Sequence, residues 1–181
     1  MRTVVVRVAA LALLLLLALV ATLTVRTLYR LPDVTLYLIR SEPTTFVLEP
    51  VYRRMRVTRT AASGHPSEAT VRAAIEALAA GPTPDEAQRG LASEVPPATE
   101  VRSVRLDQGV MTIDLSAAFE TGGGTASMLG RLHQVHFTAA RPNAVEAVRL
   151  LVEGTQLVAL GGEGIIVEQP WVPPEHGLPR W

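Results

Sequence analysis

Val71–Pro82 reads VRAAIEALAAGP, Thr83–Glu100 reads TPDEAQRGLASEVPPATE, and Val101–Ser116 reads VRSVRLDQGVMTIDLS. Apolar residues at Val71, Ala74, Ile75, Leu78 and Ala79 fall at i, i+3, i+4, i+7 and i+8, one stripe of an α-helix. Arg72 and Glu76 form an i, i+4 pair on the opposite side. Ser67 is the expected N-cap, and Glu68 suits the positive end of the helix dipole. Gly81 supplies the left-handed residue after the helix and Pro82 forbids its continuation. Thr83-Pro84-Asp85-Glu86 then offers a capping hydroxyl, a proline at the first helical position and two acids, so a second short helix starts there. In Val101–Ser116 the apolar positions alternate at Val104 and Leu106, then at Met111, Ile113 and Leu115. Asp107-Gln108-Gly109 turns the chain between them, with glycine available for positive φ. Val101 is out of phase with Val104, which predicts a bulge.

Upstream, Leu31–Arg40 (LPDVTLYLIR) alternates apolar and β-branched residues on both faces and predicts a strand covered on both sides. Ser41-Glu42-Pro43 predicts a turn and Thr45–Leu48 a short second strand. Pro50 interrupts, and Val51–Thr58 (VYRRMRVT) predicts an edge strand. Arg53, Arg54 and Arg56 on it serve as charges that discourage edge pairing; the sharper reading makes them a cationic contact patch. Downstream, Thr121–Thr125 (TGGGT) predicts a hinge. Ala126–Ala140 predicts a second main helix with Met128, Leu132, Val135 and Ala139 as its buried row. Val145–Glu153 predicts a strand with Val148, Leu150 and Val152 facing inward. The tail Gln169–Trp181 (QPWVPPEHGLPRW) carries four prolines, Trp171 and Trp181, and predicts an extended, unpacked segment.

The 181 residues carry a formal net charge of zero and no cysteine. Zero net charge removes the bulk electrostatic case for nucleic acid. Without thiols there is no disulfide, thiolate metal site, cysteine nucleophile or lipid-modified cysteine. Val8–Val25 (VAALALLLLLALVATLTV) is an uncharged apolar run. At about 1.5 Å per residue it is just long enough to cross roughly 30 Å of hydrocarbon. It is long for a cleavable signal peptide and lacks a good small-x-small cleavage pair. Residues 1–30 are therefore expected to form a membrane anchor. Arg2 and Arg7 on one side and Arg26 and Arg30 on the other barely set its orientation.

Several segments together resemble the GerMN domain, a family named for a sporulation and germination protein and found in bacterial envelope proteins. They are the helix ending Glu76-Ala77-Leu78 before Gly81-Pro82, and the connection Gly90-Leu91-x-Ser93 with Val95-Pro96 leading toward Thr99. The ribbon end Ile113-Asp114-Leu115-Ser116 with Phe119, and Gln134-Val135-x-x-Thr138, follow. Pro142, Val145, Val148 and Val152-Glu153-Gly154 complete the set. The resemblance covers 31–168 and has room for one copy of the domain. It implies an extracytoplasmic position, with the N-terminus inside, and an interaction or assembly role in place of catalysis.

The residues that could carry chemistry each have a simpler reading. His133 and His136, at i, i+3, share a helix side and could hold a metal, yet no third ligand is marked. A partly buried, hydrogen-bonded histidine accounts for them. Asp114 and Glu120 could form an acid–base pair; capping of the Ala117–Phe119 turn by Asp114 or Ser116 explains the same residues. Ser116 and Ser127 lack a nucleophile-elbow context. The glycines of Thr121–Thr125 match neither a P-loop nor a dinucleotide pattern. Gln134 and Thr138 either satisfy buried backbone groups or contact a ligand at the surface.

The sequence thus predicts an α+β domain over 31–168, a small mainly antiparallel sheet with two main helices, between an N-terminal transmembrane helix and a tail at 169–181. The expected role is a non-enzymatic, membrane-tethered interaction module of the cell envelope, with no cofactor and no metal. Its partner is an envelope protein or a cell-wall component, contacted through Arg53, Arg54, Arg56, Trp171 and Trp181. The competing classes are a cell-wall hydrolase, which requires a deep cleft of converging acids or histidines, and a small-ligand sensor, which requires an enclosed apolar pocket.

Overall fold

The computed structural model describes residues 33–55, 57, 65–142, 144–161, 164–174 and 177–181. The expected membrane anchor and Arg56 lie outside these. Among the described residues no helix is long and apolar enough to cross a membrane. Residues 33–181 form one compact unit.

Strands β1 (Asp33–Glu42) and β2 (Thr45–Arg54) form a long antiparallel hairpin in unbroken register, from Asp33↔Arg54 to Glu42↔Thr45. The expected break at Pro50 does not occur. Pro50 stands opposite Tyr37, whose backbone groups point away from β2 to a helix described below. No ladder bond is therefore asked of proline's missing N–H, which faces the outer edge of the sheet. The strand stops at Arg54, short of the expected Thr58.

Helix α1 (Pro66–Ala79) starts before the expected Ser67 cap. His65 is the N-cap, its Nδ1 accepting from the Ser67 N–H at 3.2 Å, with Pro66 opening the first turn. The stripe Val71, Ala74, Ile75 and Leu78 is buried. Gly81 has φ 83°, the left-handed conformation the Gly-Pro stop requires. Helix α2 (Pro84–Gln88) follows with a complete capping box: Thr83 Oγ1 accepts from the Glu86 N–H and Glu86 accepts from the Thr83 N–H at 2.7 Å. Short strand β3 (Leu91–Ala92) adds to β1 at Ile39 and Arg40, giving the order β2-β1-β3.

The ribbon is as expected. β4 (Val101–Asp107) and β5 (Val110–Leu115) pair around Gln108-Gly109, both at positive φ, with the register shift between Val101 and Ser103. A 3-10 turn, Ala117–Glu120, buries Phe119 completely. Helix α3 (Thr125–Ala139) then returns the chain to β6 (Ala147–Val152), which lies parallel to β5. This parallel pair departs from the mainly antiparallel expectation, and its cause is the crossover: a helix between two neighbouring strands brings the second in with the same direction. β7 (Thr155–Gln156) completes the order β4-β5-β6-β7, and β8 (Ala159–Leu160) pairs with β9 (Ile165–Ile166). The strands thus fall into separate small sheets. The main core joins Leu36, Leu38, Ile75, Leu78, Met111, Ile113, Leu115, Phe119, Val135 and Leu150. A second cluster on the other side of the β1–β2 hairpin joins Tyr37, Ile39, Leu48 and Phe137, packed against by Phe46, Trp171 and Trp181.

Candidate functional site

Helix α3 places one buried polar row, Arg131, Gln134 and Thr138, against the rest of the fold; all three are at most 2% exposed. Gln134 Nε2 donates to the Tyr37 carbonyl at 2.9 Å, and Gln134 Oε1 accepts from the Glu94 N–H at 2.7 Å. Thr138 Oγ1 accepts from the Tyr37 N–H at 3.1 Å. The two side chains act as a surrogate strand for the stretch of β1 that β3 is too short to cover. Of the two readings of Gln134 and Thr138, the structure selects satisfaction of buried backbone. Arg131 closes the loops above: it donates to the carbonyls of Phe119, Thr121 (3.2 Å), Gly122 (3.1 Å) and Glu94 (3.1 Å). Burial pulls its pKa down, and the Glu94 carboxylate opposes that shift. Arg131 was not singled out by sequence; the signal was its place at i−3 from Gln134 and i−7 from Thr138.

The other candidate polar residues are also bound internally. Arg53 turns in from the edge to form a two-pronged pair with the Glu86 carboxylate and to donate to the Gly81 carbonyl at 3.0 Å. Burial alone would raise the Glu86 carboxyl; the Arg53 guanidinium and the Thr83 bonds outweigh it and hold the pKa below the usual range. Arg53 is thus tied to the Gly81-Pro82 stop and not displayed. Arg54 is exposed and has an interaction of its own. Asp114 Oδ1 accepts from the Gly154 N–H at 2.9 Å and Ser116 Oγ accepts from the Glu100 N–H at 2.9 Å. Neither caps the 3-10 turn. Glu153 does that from across the sheet, accepting from the Ala117 N–H at 3.0 Å.

The opposite side of α3 carries rings. Contrary to the expectation of an unpacked tail, its described residues 169–174 and 177–181 strap this face, because both tryptophans find ring partners. Gln169 anchors the strap: its side-chain amide brackets Leu150, accepting from the N–H at 2.9 Å and donating to the carbonyl at 3.1 Å. Trp171 pairs its backbone with Val148 at 2.8 Å in both directions. Its indole stacks on His136, centroids 4.7 Å apart and 7° from parallel, and meets Phe137 edge-on at 5.0 Å. Trp181 lies 4.9 Å from His133 and 6.1 Å from Phe46, and its indole N–H donates to the Ala126 carbonyl at 3.2 Å. Burial lowers the His136 pKa to about 3, helped by neighbouring His133, whose own pKa burial also lowers. His136 is therefore a neutral ring at neutral pH. Its Nε2 has no hydrogen-bond partner among the described residues. The two histidines face different tryptophans, and among the described residues no group of three His, Cys, Asp or Glu side chains is placed to hold a metal ion. Beside the strap runs an open cleft of about 340 Å³, lined by His133, Phe137, Trp171, Leu178 and the prolines Pro174 and Pro179.

A family model described as Germane, sporulation and spore germination, matches residues 35–158. This chain belongs to the Germane family. Among solved structures it is similar to the tandem GerMN domains of the sporulation protein GerM from Bacillus subtilis, with TM-score 0.62 and 18% identity, over 80% of this chain and 46% of that one. It spans less than half of that tandem. It is also similar to the first GerMN domain of the same protein, with TM-score 0.58 and 18% identity, over 78% of this chain and 97% of that one. Likeness at this identity is a likeness of fold. A search of curated proteins finds no match. Within the Germane domain, Gly81-Pro82, Gln134 and Thr138 of the resemblance set have defined structural duties. The strap lies beyond the matched residues.

Proposed function

We propose that this Germane-family chain is a non-enzymatic interaction module of the bacterial cell envelope, tethered by its N-terminal apolar segment and presenting the domain outside the membrane. One observation carries the reading. Arg53, Glu86, Asp114, Ser116, Arg131, Gln134 and Thr138 are bound to the chain's own backbone or to each other, and His136 is stacked under Trp171, while Trp171, Trp181, Phe46 and Tyr52 remain at least partly exposed. A surface of half-exposed aromatics around a polar-stitched frame suits recognition of another macromolecule better than bond making. Among the described residues, the open cleft beside the strap is lined by His133, the rings of Phe137 and Trp171, aliphatic side chains and prolines, a lining suited to contact.

The contact surface is the strap with the outer edge of β2: Trp171, Trp181, Phe46, Tyr52 and Arg54. Crosslinking of the intact anchored chain in cells, followed by capture, is expected to recover an envelope protein or wall fragment. The yield is expected to fall in a Tyr52→Ala, Arg54→Ala variant. Recovery of no such component above a chain deleted from residue 169 onward would overturn the proposal.

A further inference from the structure

The outer edge of β2 holds a seat that the chain's own C-terminal segment fills. Tyr37 turns its backbone groups away from β2. By the alternation of an antiparallel ladder, Phe46, Leu48, Pro50 and Tyr52 on β2 turn theirs to the outer edge. At Phe46 that edge is paired: its N–H donates to the Trp181 carbonyl at 2.8 Å, and the Trp181 N–H donates back at 3.4 Å. Val47 faces Arg180 across an antiparallel bridge, and the Thr45 hydroxyl donates to the Trp181 carbonyl at 3.1 Å. The floor under the indole is Gly130, where a Cβ would come within 3.3 Å of the Trp181 ring and 2.7 Å of Ile39 Cδ1. The seat therefore recognises an extended segment in β-register that carries a flat aromatic ring, the mode of strand addition with a side-chain pocket.

The segment that fills it is lightly tethered. Between the Trp171 and Trp181 pins, no backbone hydrogen bond between described residues involves 172–174 or 177–179. Val172 and Leu178 are 65% and 39% exposed. The residues between the pins can span about 30 Å when extended. We propose that the seat also takes this segment from a second copy of the chain. Residues 178–181 of each copy add to Phe46–Val47 of the other, closing a two-fold pair. Every contact of the seated segment is the same whether it comes from its own chain or its neighbour's, so the two states differ only in linker strain and concentration. The inference is independent of any envelope partner, and its failure would leave that reading standing.

The cysteine-free sequence permits a direct test on the full chain in detergent. A Val47→Cys, Arg180→Cys double variant is expected to close an intramolecular disulfide, since a directly opposed pair of this kind brings the side chains together. Single variants Val47→Cys and Arg180→Cys, mixed and oxidised, can join only when the segment of one copy sits on the edge of another. The heterodimer is expected about tenfold above a Gln108→Cys plus Arg180→Cys control, and to fall toward the control when the Arg180→Cys chain also carries Trp181→Ala. Unchanged far-UV circular dichroism would confirm that each variant folds. If the mixed singles give no more heterodimer than the control, exchange does not occur. If the double variant fails to close, the seat itself is misassigned.

Discussion

Helix α3 is held on two sides by different physics. On one side Arg131, Gln134 and Thr138, all buried, reach backbone groups of Tyr37, Glu94, Phe119, Thr121 and Gly122. On the other, His136 stacks on Trp171 and His133 meets Trp181 at a tilt of 50°, with half-exposed rings and an open cleft beside them. The stitched side is all-or-none, because a buried backbone group without its partner loses its full solvation. The strapped side is graded, because each ring contact contributes about 0.5–1.5 kcal/mol beyond its burial. The first suits a frame and the second a surface that can open.

The largest expected effect comes from breaking the stitched side. Gln134→Leu keeps the volume but leaves the buried Tyr37 carbonyl and the part-buried Glu94 N–H unpaired. At about 1–3 kcal/mol for each orphaned group, the loss should be about 4 kcal/mol, read as a lower urea midpoint with an unchanged slope. A loss under about 1 kcal/mol would show that β1 does not depend on α3 for its pairing.

Acid should break the strapped side next. His136 has its folded pKa depressed to about 3 against an ordinary 6.5. The unfolded chain therefore takes the proton first. The folded state is fully favoured above pH 6.5, and its advantage is lost as pH falls from there toward 3. At about 1.4 kcal/mol per pH unit, the chain should lose on the order of 2–3 kcal/mol by pH 4.5. His133 shifts in the same direction and adds to the loss. Glu86, whose pKa is lowered from 4.5, loses its contribution only as pH falls below that value, so the window from 4.5 to 6.5 isolates the histidines. His136→Phe keeps a ring for Trp171 and removes the proton. Its denaturation midpoint should be much flatter across that window, and a slope equal to the parent's would refute the assignment.

The contrast between the two sides also marks what sequence could reveal. The Val71–Leu78 stripe, the Gly81-Pro82 stop, the Thr83–Glu86 box, the Gln108-Gly109 turn and the bulge at Val101 are local, and each was readable because its partners lie within a few residues. Gln134 serves a carbonyl 97 positions away, and Gln169 serves Leu150 in the same manner; nothing in their neighbourhoods says which backbone they reach. Pro50 read as a break because its tolerance depends on which edge α3 covers. Val145–Glu153 read as a strand, but the parallel direction of β6 follows from the crossover before it. The tail read as unpacked, but its described residues dock at Trp171 and Arg180 through β-bridges. Its docking needed Gly130, Phe46 and the two histidines brought together by the fold. Of the candidate contact residues, Trp171 and Trp181 share one face, whereas Arg53 is spent on Glu86.

The smallest effect sharpens the comparison most. Trp181→Ala removes the rings' contact with His133 and Phe46 and one indole hydrogen bond, but leaves α3 stitched. It should cost about 1–2 kcal/mol. Much of that loss should be local: hydrogen exchange at the Phe46 and Trp171 amides should speed up, while the amides of Ile113 and Leu150 keep their protection. Coupling is the decisive quantity. A double-mutant cycle of Trp181→Ala with Phe46→Ala should return an interaction energy near 1 kcal/mol, whereas Trp181→Ala with Gln134→Leu should be additive within about 0.5 kcal/mol. Strong coupling in the second cycle would mean that strap and stitches form one cooperative unit, and that the strap cannot open without the frame.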